Sequence, residues 1–256
     1  RKGLLRNLVL SLYASMEKYT IRRTDLVIGT GPGLADQARR MGPKGEVTAI
    51  FDIPSSLVEA TEAGASALAT ELKQTDDEII ATFVGSFAVY QGIDLLFASI
   101  PKVLAKNSKV RFVIIGGNDE EIEQQRSALA KQGLNKHVSF IGKVPPDTLP
   151  DYLHAADILL APRHSGVNTP LKILDYFKAG RAIVATDVAS NRLILNEATA
   201  LFAEPNAESY AEKILELAHD KKLRTMLGQN GHRLYKEKYN FQSFKSLLEN
   251  AYKTLD

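Results

Sequence analysis

The sequence predicts an α/β fold, a doubly wound parallel sheet of Rossmann-like type with a helical C-terminal tail. Three observations carry that prediction. Short apolar runs of strand length alternate with helix-period segments from residue 26 to residue 218, the pattern of a parallel sheet covered on both faces. Glycine follows directly on several of the runs, where it lets a backbone turn sharply or approach a ligand closely. Beyond residue 218 the strand-like runs stop and only helical patterns continue.

The elements follow in order. Leu4, Leu5, Leu8, Val9, Leu12, Tyr13 and Met16 recur at helical spacing. Leu26–Ile28 reads as a short strand, Gly29–Gly33 as its turn, and Leu34–Met41 as a helix stopped by Gly42. A strand at 47–50 leads to Pro54, and 56–73 is helix-compatible although Gly64 interrupts it. Strands at 79–84, 111–115 and 138–141 each run into glycine and are separated by helices at 92–106 and 120–132. A helix at 148–155, a strand at 158–161, a helix at 169–179 and a strand at 182–186 continue the alternation. The pattern closes with a short helix at 190–195, a strand at 200–203, and helices at 207–218, 221–237 and 241–254.

Composition narrows the function classes. The 32 Lys and Arg against 30 Asp and Glu leave a net charge of +2, too little basic excess for a protein that coats nucleic acid. With no cysteine there is no disulfide, thiol nucleophile or cysteine-held metal cluster. No apolar run approaches the roughly 18 residues of a membrane span. The chain opens at Arg1 inside a helical pattern with no signal-peptide core, which reads as a piece of something longer.

In a doubly wound sheet, ligands bind at the carboxyl ends of the strands, where the strand order reverses. Four predicted strand ends stand out: Val84-Gly85-Ser86, Ile115-Gly116-Gly117, Ile141-Gly142-Lys143 and Ala161-Pro162-Arg163. The run Gly29-Thr30-Gly31-Pro32-Gly33 fails the dinucleotide fingerprint, because Leu34 stands at its last glycine and Pro32 removes a donor. It reads as an ordinary strand-to-helix turn. The stretch from Ser165 to Gly180 is more informative: Asn168 or Thr169 can cap a helix with Pro170 in its first turn. Such a start suits a phosphate. Lys172 then falls in the first turn, where it opposes the helix dipole by about 0.3–1 kcal/mol unless an anion lies between them.

From that stretch onward the residues carry a resemblance. LKILDYFKAGRAIVATDV resembles the helix and strand in the C-terminal domain of retaining GT-B glycosyltransferases of family four, the group 1 glycosyltransferases. FVGSFAVYQGIDLLFASIPKVL resembles that domain's first strand and helix, FVIIGGN its second strand and turn, and FIGKVPPDTLPDYLHAADILLAP its base-binding segment. The segment from Ala200 to Phe241 resembles its closing helices. The family's E-x7-E motif matches at its second position, Asp175, whereas its first falls on Val167. The usual Arg and Lys of the loop after the first strand appear as Ser86 and Gln91, so Lys172 and Arg163 are the nearest cations to take over their charge.

The resemblance implies the C-terminal half of a GT-B fold. Residues 1–53 would be the end of an N-terminal acceptor domain and linker, 54–239 the nucleotide-sugar donor-binding domain, and 240–256 a C-terminal helix returning towards the N-terminal domain. It implies hexosyl transfer with retention from a nucleotide diphosphate sugar, in glycan biosynthesis. The catalytic candidates are Lys172 and Asp175, the latter on the ribose hydroxyls. The nucleotide-sugar candidates are Gly85, Ser86, Gln91, Gly116, Gly117, Lys143 and Val144, together with Arg163, His164, Asn168, Thr169, Pro170 and Leu171. Lys143 and Val144 would read the base through their backbone, and the missing acceptor domain would leave the chain alone unable to transfer sugar.

No D-x-D and no metal-spaced histidine pair occurs, so no metal or other cofactor is expected. His137, His154, His219 and His232 read as surface residues, whereas His164 follows a strand end in the proposed crevice. The N-terminal helix, with Arg1, Lys2, Arg6, Lys18, Arg22 and Arg23 in or after it, is expected to pack on a neighbouring domain, and peripheral contact with a membrane is the alternative. The expected compartment is the cytoplasm, including the inner membrane face. A GT-B nucleotide-sugar epimerase and a non-catalytic nucleotide-binding module stay open as alternative functions. A nicotinamide-binding dehydrogenase domain is disfavoured by the failed glycine fingerprint.

Overall fold

The computed structural model describes residues 2–166 and 168–255. The chain opens with α1 (Lys2–Ile21), whose apolar residues Leu5, Leu8, Leu12, Tyr13 and Met16 all stay exposed. It is followed by β1 (Leu26–Gly29), α2 (Pro32–Arg40) and β2 (Glu46–Ala49). The two strands pair in parallel as a small separate sheet. Pro32 occupies the first helical position, so α2 begins two residues earlier than its apolar pattern suggests.

The main body then alternates without a break. In order come α3 (Glu62–Leu72), β3 (Ile79–Val84), α4 (Ile93–Lys106), β4 (Val110–Ile115), α5 (Asp119–Ala130) and β5 (Val138–Gly142). The second half holds α6 (Leu149–Ala155), β6 (Ile158–Ala161), α7 (Lys172–Ala179), β7 (Ala182–Thr186), α8 (Ala189–Arg192) and β8 (Ala200–Ala203). The tail is α9 (Ala207–His219), α10 (Lys221–Leu234) and α11 (Phe241–Tyr252). All six main strands are parallel, in the order β5-β4-β3-β6-β7-β8. The order reverses between β3 and β6, which is the switch point of a doubly wound sheet.

Alternation of side chains across the strands builds a core on each face. Phe83, Phe112 and Ile114 pack with Leu96 and Ile100 of α4 and Ile214 of α9. Ile80, Val113, Leu159 and Ile183 pack on the other face with Leu153 of α6 and Ile173, Leu174 and Phe177 of α7. Fully burying one such side chain contributes about 1.5–3 kcal/mol. Beneath the sheet, buried Arg111 donates to both oxygens of buried Glu78, at 3.0 and 3.3 Å, and to the Lys136 carbonyl.

Several expectations need correction. The helix expected over 56–73 begins only at Glu62, because Thr61 caps it by accepting from the Gly64 N–H. Residues before Thr61 run as coil, held by side chains of other elements. The helix expected over 169–179 begins at Lys172 with Leu171 as its cap and no side-chain capping bond. A residue before proline is driven out of the helical region, so Pro170 keeps Thr169 outside the helix. At the other end of the chain, α10 stops at Leu234 and passes into a single π turn, Tyr235–Tyr239. The helix expected over 190–195 is the shorter α8.

Candidate functional site

Three glycine turns lie side by side at the carboxyl end of the sheet. The Gly85 N–H donates to the Ile115 carbonyl at 3.0 Å, and the Gly116 N–H to the Gly142 carbonyl at 2.7 Å. Together they floor a cavity of about 520 Å³ lined by Gly85, Ser86, Gly116, Gly117, Lys143 and Val144. The sequence placed all six there. The helix α5 starts at the rim of this cavity with a reciprocal cap between Asn118 and Glu121.

A second group gathers on the other side of the switch point, in the loop after β6. Arg163 is buried, donates to the Ser165 carbonyl at 2.6 Å and to the Asn168 side-chain oxygen at 3.0 Å, and lies over the Tyr90 ring at 5.6 Å. The His164 N–H donates to the Tyr90 carbonyl at 3.1 Å, so this loop is stitched to the turn holding Gln91. Gly92 lets the two come this close: its φ is 73°, and a Cβ there would lie 1.7 Å from the Pro162 carbonyl oxygen. From below, the Thr186 hydroxyl donates to the Arg163 carbonyl, and the buried Asn191 amide donates to the Thr186 carbonyl at 2.8 Å. Val167, the first position of the E-x7-E comparison, lies outside the described residues.

Lys172 joins the two groups. Its side chain crosses from α7 to the end of β3, where the ammonium lies 4.3 Å from the centre of the Phe83 ring. A Cβ at Gly85, whose φ is 154°, would lie 2.9 Å from that nitrogen, so the glycine makes room for the lysine. Lys172 is partly exposed as a residue, but its ammonium is deep among side chains. Burial, with the Arg163 charge second, pushes its pKa down to about 7. No carboxylate offsets that shift among the described residues. The strand ends are also pinned underneath, where the Tyr176 hydroxyl donates to the Leu160 carbonyl at 3.1 Å and accepts from the Val84 N–H at 3.3 Å.

The helix start itself differs from the expected anion cradle. Ile173 and Leu174 donate back to the Pro170 and Leu171 carbonyls at 3.0 and 2.9 Å. That tight turn consumes donors an open helix end would offer. Asn168 is exposed with its oxygen on Arg163, and Thr169 is buried with its hydroxyl against Gly31 and without a hydrogen-bond partner among the described residues. Neither caps the helix. The positive charge of this wall therefore comes from Lys172 and Arg163 more than from backbone dipoles.

Asp175 lies one turn beyond Lys172 and faces a different cavity of about 680 Å³, which meets the first at Leu149. Its Oδ1 accepts from the Ser55 N–H at 2.7 Å and the Ser55 hydroxyl at 2.9 Å. Burial raises its pKa, partly offset by those bonds and by Lys178. No sequence signal marks Ser55, Tyr90 or Tyr176, because each meets the site through residues distant in the chain. Of the four histidines read as surface residues, His137, His154 and His232 are partly buried, and burial lowers the pKa of His137 and His154.

Comparison with known proteins adds a family. Residues 78–220 match the family model described as glycosyl transferases group 1. The chain is 28% identical over 137 residues to a phosphatidyl-myo-inositol mannosyltransferase of Mycolicibacterium smegmatis, covering 52% of this chain and 34% of that protein. It is 25% identical over 185 residues to the gpi3 subunit of the phosphatidylinositol N-acetylglucosaminyltransferase of Schizosaccharomyces pombe, covering 72% and 40%. It thus spans well under half the length of these curated relatives. Among solved structures, Anabaena HepE in complex with UDP superposes with a TM-score of 0.79 at 14% identity, over 92% of this chain and 65% of that one. Sucrose-phosphate synthase of Thermosynechococcus elongatus gives 0.77 at 24% identity, over 93% and 60%. These structural likenesses show the fold. Among the described residues, no helix is long and apolar enough to cross a membrane.

Proposed function

The chain belongs to the glycosyl transferases group 1 family, and from that premise we propose that its crevice holds a nucleotide diphosphate sugar for transfer of a hexosyl group to an acceptor, with retention. The base lies in the glycine-floored cavity against the backbone of Lys143 and Val144. The ribose reaches Asp175 past Leu149. The diphosphate lies over the end of β3, where Lys172 and Arg163 face it.

The observation that carries the reading is the uncompensated Lys172 ammonium at the switch point. Breaking the glycosidic bond leaves a diphosphate with developing negative charge while the sugar becomes oxocarbenium-like. A fixed cation in a water-poor site stabilises that charge more than water does. Lys172, at the switch point, takes the place of the loop cations that Ser86 and Gln91 lack, so the site needs no divalent ion to offset the leaving group. The proposed division is a donor-binding unit over 54–239, with the acceptor held by a domain outside it. Transfer needs both sides closed over the reacting carbon, because positioning and water exclusion supply much of the rate.

The test is titration calorimetry of the chain with UDP, GDP and ADP, with and without EDTA. The expected result is chelator-insensitive binding of at least one of them. Absence of heat above dilution for all three at millimolar concentration would remove the reading.

A further inference from the structure

We infer that Ser55, from the coil before α3, is a positioning residue for the donor site: it fixes the Asp175 carboxylate so that Oδ2 is presented to the ribose hydroxyls. The inference rests on the proposed nucleotide reading and adds a residue that the family motif does not contain.

The geometry is specific. An ionised carboxylate oxygen accepts about two hydrogen bonds, and Oδ1 of Asp175 already has two, from the Ser55 N–H and the Ser55 hydroxyl. Oδ2 is left for a ligand. The two bonds also fix the plane of the carboxylate, which would otherwise rotate about its terminal torsion.

Ser55 is itself held in place. One turn further along α7, the buried Lys178 donates to the Ser56 carbonyl at 3.0 Å and the Val58 carbonyl at 2.6 Å. The Ser56 hydroxyl donates to Asp147 at 3.0 Å and accepts from the Val58 N–H at 3.1 Å. The same helix that carries Lys172 and Asp175 thus clamps the coil that orients Asp175. A pre-set acceptor costs less ordering when the ligand arrives.

The arrangement sets the charge of Asp175 as well as its direction. Burial favours the neutral acid, whereas both Ser55 donors favour the carboxylate. Lys178 on the same helix acts in the same sense as Ser55. The other charged or titratable groups around this cavity are Glu59 on the coil, His154 on α6 and Arg181 after α7. His232, Arg233, Lys236 and Glu237 face it from the C-terminal helices.

The experiment measures UDP affinity from pH 4.5 to 7 for the wild type, Ser55→Ala and Ser55→Thr, with circular dichroism confirming the fold of each. Titration of the nucleotide's own phosphate is common to all three and cancels in the comparison. Loss of the hydroxyl donor is expected to move the acid limb of binding upward by about half a pH unit, an affinity loss of about threefold below that limb. Ser55→Thr, which keeps the hydroxyl, is expected to restore the wild-type profile. A uniform loss at every pH, or superimposable profiles for wild type and Ser55→Ala, would overturn the positioning role. Failure of the wild type to bind UDP, GDP or ADP would overturn the nucleotide reading instead.

Discussion

Lys172 makes diphosphate binding pH-dependent in a direction and size the structure sets. Burial and the neighbouring Arg163 hold its pKa near 7 in the free protein, and a diphosphate placed against it raises that value. A group whose pKa rises on binding contributes fully below its free pKa, and the contribution declines as pH climbs above it. If only the ammonium form grips the ligand, affinity is reduced by the factor 1 + 10^(pH − 7). That factor is about 1.1 at pH 6 and about 11 at pH 8, a roughly tenfold loss over two units. At pH 7 about half a proton is taken up per nucleotide bound. Titration calorimetry of UDP in buffers of different ionisation enthalpy reads that uptake directly. Lys172→Met is the control, since it removes the titrating group and leaves the nucleotide's own ionisation unchanged. The same pH profile and the same proton uptake in wild type and Lys172→Met would refute the argument.

Two further outcomes test the scaffold beneath the site. Glu78→Gln leaves the Arg111 guanidinium buried without a counter-charge, and breaking a buried pair this way costs about 3–5 kcal/mol, measured by urea unfolding. Burial alone would raise the Glu78 pKa, but Arg111 and the Gln74 N–H outweigh it and hold it below the usual carboxylate range. The pair therefore stabilises above the unfolded glutamate's pKa and loses its effect as pH falls through the folded value, an acid sensitivity that Glu78→Gln should lack. Tyr176→Phe removes the hydroxyl that braces the Val84 N–H and the Leu160 carbonyl at the switch point and leaves the β3–β6 ladder in place, for a loss of about 0.5–1.5 kcal/mol in the same assay. A loss below about 0.5 kcal/mol in either variant would contradict the corresponding account.

What was legible in the sequence was what depends on local periodicity. The strands ending in Gly85, Gly116 and Gly142 announce themselves by apolar runs and glycine stops, and they align as expected because parallel strands share one end of the sheet. Lys172 was visible as a cation out of place in a first helical turn. The helix start before it is not legible in the same way, because Pro170 fits a first-turn position but also drives Thr169 out of the helical region. The coil over 56–61 reads as helix because it runs without a break into the Ala-rich stretch that follows, while Lys178 and Asp147 hold it from sites more than 90 residues away. Ser55 was silent for the same reason: nothing local distinguishes a serine that will meet Asp175 across 120 residues.

The central claim is that Lys172 at the β3–β6 switch point holds the diphosphate of a nucleotide donor. Its most direct test is calorimetric titration of UDP and of uridine into the wild-type chain and into Lys172→Met. A charge-assisted contact of about 1.5–3 kcal/mol predicts UDP affinity at least about tenfold weaker in the variant at pH 6.5, with uridine affinity unchanged. Equal UDP affinities in the two proteins would contradict the claim.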